Sequence, residues 1–178
     1  MSIFNQDNIV KAWYFASDAH LNQRLDFKNL PYLTHIGNVV LELMAVSNSI
    51  KNLEFALICA ILHDTIEHTN ITYDDIKKEF GKAVANGVLA LSKNRELDED
   101  LQMIDSINRI KKEPKEVWMV KVADRIANLY QSPSQWPNNE IRDYIEESKL
   151  ILQELGSSNI ELAKRLEEKI NEYESYIK

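Results

Sequence analysis

An all-helical, single-domain protein is the fold that this chain predicts, on three observations. Only four Gly and four Pro occur in 178 residues, too few turn residues to punctuate a sandwich or barrel at regular intervals. Apolar residues recur at a spacing near 3.6 in one segment after another, as helices with one face against a core require. A chain of this length with 44% apolar residues suits one domain built on one core, and no internal repeat, low-complexity tract or interdomain linker divides residues 1–178.

The elements follow in order. Ile9 to Ala19 has helical spacing, and the polar stretch from Asn22 to Pro31 breaks it. Ile36 to Val46 resumes a helix, with His35 at its start. Leu53 to Ile66 reads as one nearly continuous apolar helix of the domain centre, carrying His63 and Asp64 at its C-terminal end. Thr72 with Asp75 three residues on forms a capping box with Asp in place of the usual Glu, and Gly81 offers a stop after Phe80. Ala83 to Leu91 and about Asp98 to Lys112 are helical around a charged loop at Lys93 to Leu97. Pro114 marks the next start. Val117, Val120, Ala123, Ile126, Ala127 and Tyr130 then repeat at helical spacing, which puts Asp124 and Asn128 on a shared face. The Ser132 to Asn138 segment ends that helix. Two amphipathic helices, Ile141 to Leu155 and Ile160 to Ile177, are separated by Gly156, Ser157 and Ser158, and the helices within about 139–177 are expected to pack on the core.

Charge and composition exclude several functions. With 28 acidic and 21 basic residues the net charge is -7, which argues against a broad basic face for nucleic acid. An anionic ligand must be met by a local cluster or a bound cation. The longest apolar run, Phe55 to Leu62, is far shorter than the roughly 20 residues that span a bilayer, and no charged N-terminal segment leads into an apolar stretch. A soluble protein without membrane or nucleic-acid partners is expected. The single Cys59 lies in that apolar run as a small buried side chain, which suits a reducing cytoplasm.

Polar residues at the end of an apolar helix need a reason. A buried carboxylate is costly unless paired or bound to metal, and the adjacent imidazole of His63 adds the nitrogen that transition metals favour beside Asp64. Taken alone, the pair is equally explained by an exposed helix end. Glu67 and His68 follow at four-residue spacing and add further ligands or proton carriers. Asp124 lies among Val120, Val122, Ala123 and Ile126, where an unpaired carboxylate is again expensive.

Together, His35, His63-Asp64 and Asp124 match the H…HD…D pattern of the HD superfamily. The phrases PYLTHIGNVV, ALICAILHDTIEHTNITYDDIKKEFG and VWMVKVADRIANL resemble RelA/SpoT-type hydrolase domains and small alarmone hydrolases, from about Val10 to about Leu155. The resemblance implies a helical HD-domain bundle that removes the 3′-pyrophosphate of ppGpp-like nucleotides with one divalent ion, usually Mn²⁺, held by His35, His63, Asp64 and Asp124. Where the family commonly reads E-D after the HD pair, this chain reads Glu67-His68. Glu67 keeps the role of general-base candidate, and His68 offers an imidazole for proton transfer. By the same resemblance Arg24, in the H-x-x-Q-R stretch from His20, packs against the nucleotide base, although Leu25 stands where a lysine often follows. Asn128 is placed near ribose and phosphate, with Tyr144 lining the pocket. Lys121, Arg125, Lys93, Arg109 and Lys112 are further phosphate-contact candidates, while Trp13, Trp118, Tyr173 and Tyr176 read as packing residues.

The expected partner is a small nucleotide, and self-association is left open. Two other readings stand beside this one. The first keeps the metal and changes the substrate to an adenosine alarmone or a nucleoside monophosphate. The second is a nucleotide-binding sensor with little turnover.

Overall fold

The computed structural model describes residues 5–25, 29–130 and 135–178. Its α-helices are α1 (Gln6–Ala19), α2 (Leu33–Ala45), α3 (Leu53–Leu62), α4 (Thr65–His68), α5 (Tyr73–Phe80), α6 (Lys82–Leu91), α7 (Glu99–Ile110), α8 (Lys115–Asn128), α9 (Asn138–Leu155) and α10 (Ile160–Glu174). Single 3₁₀ turns at Ser47–Ser49 and Gly156–Ser158 complete the set. The all-α expectation holds: among the described residues there is no strand, only an isolated bridge between Arg24 and Pro31.

Two helices form the centre. In α3, Leu53, Ala56 and every residue from Leu57 to Leu62 are buried, so this helix needs neighbours on all sides. It has them in α1, α2, α6 and α8. The second, α8, is buried without a break from Met119 to Ala127, and α2, α3, α9 and α10 pack around it. Each fully buried Leu or Ile contributes roughly 1.5–3 kcal/mol, and Leu62, Ile61, Ile126, Ile36 and Leu43 are all completely enclosed. Gly87 lets α6 settle onto this pair, because a Cβ there would lie 3.0 Å from Cys59 Sγ and 3.1 Å from Val117 Cγ2.

Local sequence rules account for most of the ends. The Asn52 side chain accepts from the Phe55 amide at 3.1 Å to start α3, and Asn159 does the same for α10 through the Glu161 and Leu162 amides. Such caps contribute about 1 kcal/mol each. Thr72 and Asp75 form the complete reciprocal capping box of α5, and Gly81 ends it with φ 87° and ψ 165°. That conformation is essentially reserved for glycine. Gly81→Ala is therefore expected to cost about 1–3 kcal/mol of stability, read as a lower urea midpoint; an unchanged midpoint would mean that the link relaxes freely.

One expectation is corrected. The apolar run does not continue as one helix to Ile66: α3 ends at Leu62, His63 and Asp64 form a turn, and α4 restarts at Thr65. The reason lies in the side chains. The Leu62 carbonyl accepts from Thr65 Oγ1 at 2.7 Å and the Ala60 carbonyl from His63 Nδ1 at 2.6 Å, while Asp64 takes φ -97° and ψ -2°. Elsewhere the differences are at helix ends: α2 begins at Leu33, α9 at Asn138, and α10 ends at Glu174. Of the break expected from Ser132 to Asn138, residues 132–134 lie outside the described residues.

The last two helices brace the ones that carry the site. α9 and α10 pack against each other and against α8. Arg165 of α10 donates to the Tyr130 hydroxyl at 2.8 Å, and Tyr130 in turn donates to the buried Glu42 of α2. This chain of contacts fixes α2, α8 and α10 relative to one another.

Candidate metal centre and its cleft

Three elements deliver the four expected ligands to one point. His35 comes from the first turn of α2, His63 and Asp64 from the turn after α3, and Asp124 from α8. His35 Nε2 lies 3.3 Å from His63 Nε2 and 3.3 Å from Asp124 Oδ1. His63 Nε2 lies 2.9 Å from Asp64 Oδ2 and 3.6 Å from Asp124 Oδ1. Both imidazoles are 3% exposed, so these groups meet away from bulk water.

The donor set fits a divalent cation. A carbonyl can only accept, so His63 Nδ1 carries the proton given to Ala60, and its Nε2 lone pair faces the centre. Donor atoms of His35, His63 and Asp64 all lie within 4.8 Å of one another, and Asp124 closes the set from the opposite helix. Two imidazole nitrogens facing each other and two carboxylates converging on them leave a space suited to a positive charge.

Electrostatics agree with that. Burial alone would push the two carboxyls up, but His63 beside Asp64, and Lys121 with the two imidazoles beside Asp124, hold both well below the usual carboxylate range. Burial would lower His63, yet Asp64 and Asp124 outweigh it and raise its pKa well above the ordinary imidazole value. A metal ion would take the place of that proton.

Further groups fix the carboxylates. Asn128 Nδ2 donates to Asp124 Oδ1 at 2.7 Å, and Lys121 Nζ to Asp124 Oδ2 at 3.1 Å. The sequence reading missed Tyr32, whose hydroxyl donates to Asp64 Oδ2 at 2.6 Å and whose ring stacks on His20 at 4.9 Å. A lone Tyr ahead of a helix carries no spacing signal that could have found it. Groups that orient a ligating carboxylate typically change metal affinity by about 10–100-fold. Tyr32→Phe is expected to weaken divalent-cation binding on that scale in a calorimetric titration, and unchanged affinity would mean that Asp64 is held without it.

Glu67 and His68 stand on α4 at the outer edge. Glu67 Oε2 accepts from the Lys93 amide at 2.8 Å, and its Oε1 lies 3.8 Å from His68 Nε2. His68 Nε2 is also 3.8 Å from Asp64 Oδ1. Both residues open onto a polar cleft of about 630 Å³ lined also by Asp18, Gln23, Asn70 and Arg95.

The remaining expected contacts divide. Lys121 is buried and turned inward onto Asp124. Arg125 is buried as well, 2.8 Å from Glu147 and 4.1 Å from the centroid of the Tyr144 ring. Tyr144 is half-buried in an aromatic group with Trp136 and Tyr173. Arg24 is exposed on the turn before α2, and it is Gln23 that lines the cleft. Arg109 spends its donors on Asp105 and on the carbonyls of Leu89 and Ser92. Tyr173 is buried as a packing residue, whereas Tyr176 is 41% exposed.

A family model described as HD domain matches residues 12–159, and the chain belongs to that family. It is similar along nearly its whole length to two proteins named guanosine-3′,5′-bis(diphosphate) 3′-pyrophosphohydrolase MESH1. The one from Danio rerio is 27% identical over 163 residues, covering 86% of this chain and 87% of the relative. The one from Drosophila melanogaster is 25% identical over 173 residues, covering 94% and 96%. A solved structure described as a metazoan ortholog of SpoT that hydrolyzes ppGpp matches with a TM-score of 0.80 at 25% identity, covering 93% of this chain and 94% of the other.

Proposed function

We propose that this protein is a metal-dependent phosphohydrolase that removes the 3′-pyrophosphate of ppGpp-like nucleotides, leaving a 5′-phosphorylated nucleoside. The observation that carries the reading is the meeting of His35, His63, Asp64 and Asp124 at one buried point, with a carboxylate, Glu67, held at its open side. Similarity over most of the chain to 3′-pyrophosphohydrolases supplies the substrate.

The four residues would hold one divalent ion. Two nitrogens favour a transition metal over Mg²⁺ or Ca²⁺, and two carboxylates favour the harder end of that series, so we assign Mn²⁺. Bound there, such an ion would supply acidification of a water and neutralisation of charge on the attacked phosphoryl group. Among the described residues no helix is long and apolar enough to cross a membrane, and the buried, unpaired thiol of Cys59 suits a reducing cytoplasm.

The protein groups then have separate tasks. Glu67, fixed through Oε2 by the Lys93 amide, takes the proton of the attacking water on Oε1, the oxygen that faces His68. The water oxygen bonds to the phosphorus next to the 3′ oxygen, the P–O3′ bond breaks, and pyrophosphate departs. His68 returns a proton to the leaving 3′ oxygen. Its ring is placed to relay the proton that Glu67 takes from the water, since Nε2 lies 3.8 Å from Glu67 Oε1. Lys121 and Asn128 hold Asp124 in place, while Arg24 and Tyr144 are assigned to the nucleoside side of the substrate.

A product panel tests this reading. Purified protein with Mn²⁺ is given ppGpp, its adenosine counterpart and nucleoside monophosphates. Pyrophosphate release from ppGpp is expected. Orthophosphate from a monophosphate would reassign the substrate, and tight binding of nucleotide without turnover would make the protein a sensor.

A further inference from the structure

Arg95 is the only lysine or arginine among the described residues lining the 630 Å³ cleft, and with Glu67 it also lines a second pocket of about 330 Å³. The cleft is otherwise a poor host for an anion, since Asp18 and Glu67 share its wall and the chain carries a net charge of -7. A substrate with a diphosphate arm needs a fixed cation there.

The loop between α6 and α7 presents Arg95 from a braced frame. At its start Arg109, paired with Asp105 at 2.8 Å, donates to the carbonyl of Leu89 and, at 2.7 Å, to that of Ser92. At its far end Asn94 Oδ1 accepts from the Glu96 amide at 3.1 Å, and Gln102 Nε2 donates to the Leu97 carbonyl at 3.0 Å. Between them the Lys93 amide holds Glu67. The loop that fixes the general base therefore also fixes the guanidinium, whose Nη2 reaches His68 Nδ1.

Resting on the function proposed above, we propose that Arg95 recognises the terminal phosphoryl group of the substrate's 3′-diphosphate and so makes the enzyme selective for diphosphate over monophosphate arms. The attacked phosphoryl group lies against the four ligands, and the terminal one extends past Glu67 and His68 into the cleft. There the planar fork of Arg95 meets its oxygens with paired donors, which a lysine cannot reproduce.

The test is calorimetric titration of the full chain, with Mn²⁺ in excess, by inorganic pyrophosphate and by orthophosphate. The wild type is expected to prefer pyrophosphate. Arg95→Gln is expected to lose affinity for pyrophosphate by about 10–100-fold, the scale of a hydrogen bond to a charged group, while orthophosphate binding stays within about twofold. Arg95→Lys should recover part of the loss. An equal fall for both anions, or no fall for pyrophosphate, would overturn the proposal. Binding is read without turnover, so a failure of the hydrolase reading in the product panel remains separate from a failure here.

Discussion

Asp64→Ala is expected to abolish stoichiometric divalent-cation binding and to reduce nucleotide hydrolysis by about 10²–10³-fold, the effect of removing a principal charge-stabilising element from a site. Asp64 occupies the position that joins the two halves of the centre. Its Oδ2 faces His63 at 2.9 Å and His35 at 3.6 Å and accepts from Tyr32, while Oδ1 faces His68. Deleting the carboxylate removes one of the four proposed ligands, takes away the acceptor of the Tyr32 hydroxyl and separates His68 from the buried pair. Helix content by circular dichroism should be preserved, since Asp64 lies in the turn between α3 and α4 and makes no side-chain cap. A variant that keeps both metal and turnover would remove Asp64 from the chemistry.

The second large effect is on stability. Asp124→Ala is expected to destabilise the metal-free protein by about 3–5 kcal/mol, because breaking a buried ion pair strands its partner. That partner is Lys121, 10% exposed in its side chain and 3.1 Å from Asp124 Oδ2. Burial would lower the Lys121 pKa, but the charge and hydrogen bond of Asp124, with a smaller contribution from Glu67, raise it, so this carboxylate is the main support of the buried ammonium. At this chain length the loss should appear as a drop in Tm of roughly 6–20 °C. Adding Lys121→Met to Asp124→Ala should recover much of it by removing the stranded charge. If the single variant loses under about 1 kcal/mol, or the double variant recovers nothing, Lys121 is not held by the pair.

How much of this could be read from the residues depended on the range over which each cause acts. The capping box at Thr72 and Asp75 and the stop at Gly81 are local, and both were legible because three or four residues decide them. The faces of α8 were legible for the same reason: helical spacing alone places Asn128 four residues from Asp124, where they hydrogen-bond. The break after Leu62 was not legible, since the apolar run continues to Ile66 and the cause is a pair of side chains, His63 and Thr65, capturing carbonyls. Tyr32 was missed, and Lys93 was read as a phosphate contact rather than as the anchor of Glu67, for a different reason. Each touches the site across 26 or more residues of sequence, Tyr32 through a hydroxyl and Lys93 through its backbone amide, and neither contact leaves a mark on residue type. The four residues that meet at the buried centre could be named beforehand because motif order records which residues meet; Arg95 could not, because a charged loop looks the same whether it is solvated or aimed into a cleft.

The most direct test of the proposed reaction is hydrolysis of ppGpp in ¹⁸O-labelled water with Mn²⁺, followed by ³¹P NMR and mass analysis of the products. Attack at the phosphorus beside O3′ predicts one ¹⁸O in the released pyrophosphate and none in the nucleoside 5′-diphosphate. Label in the nucleotide, or orthophosphate in place of pyrophosphate, would contradict the account.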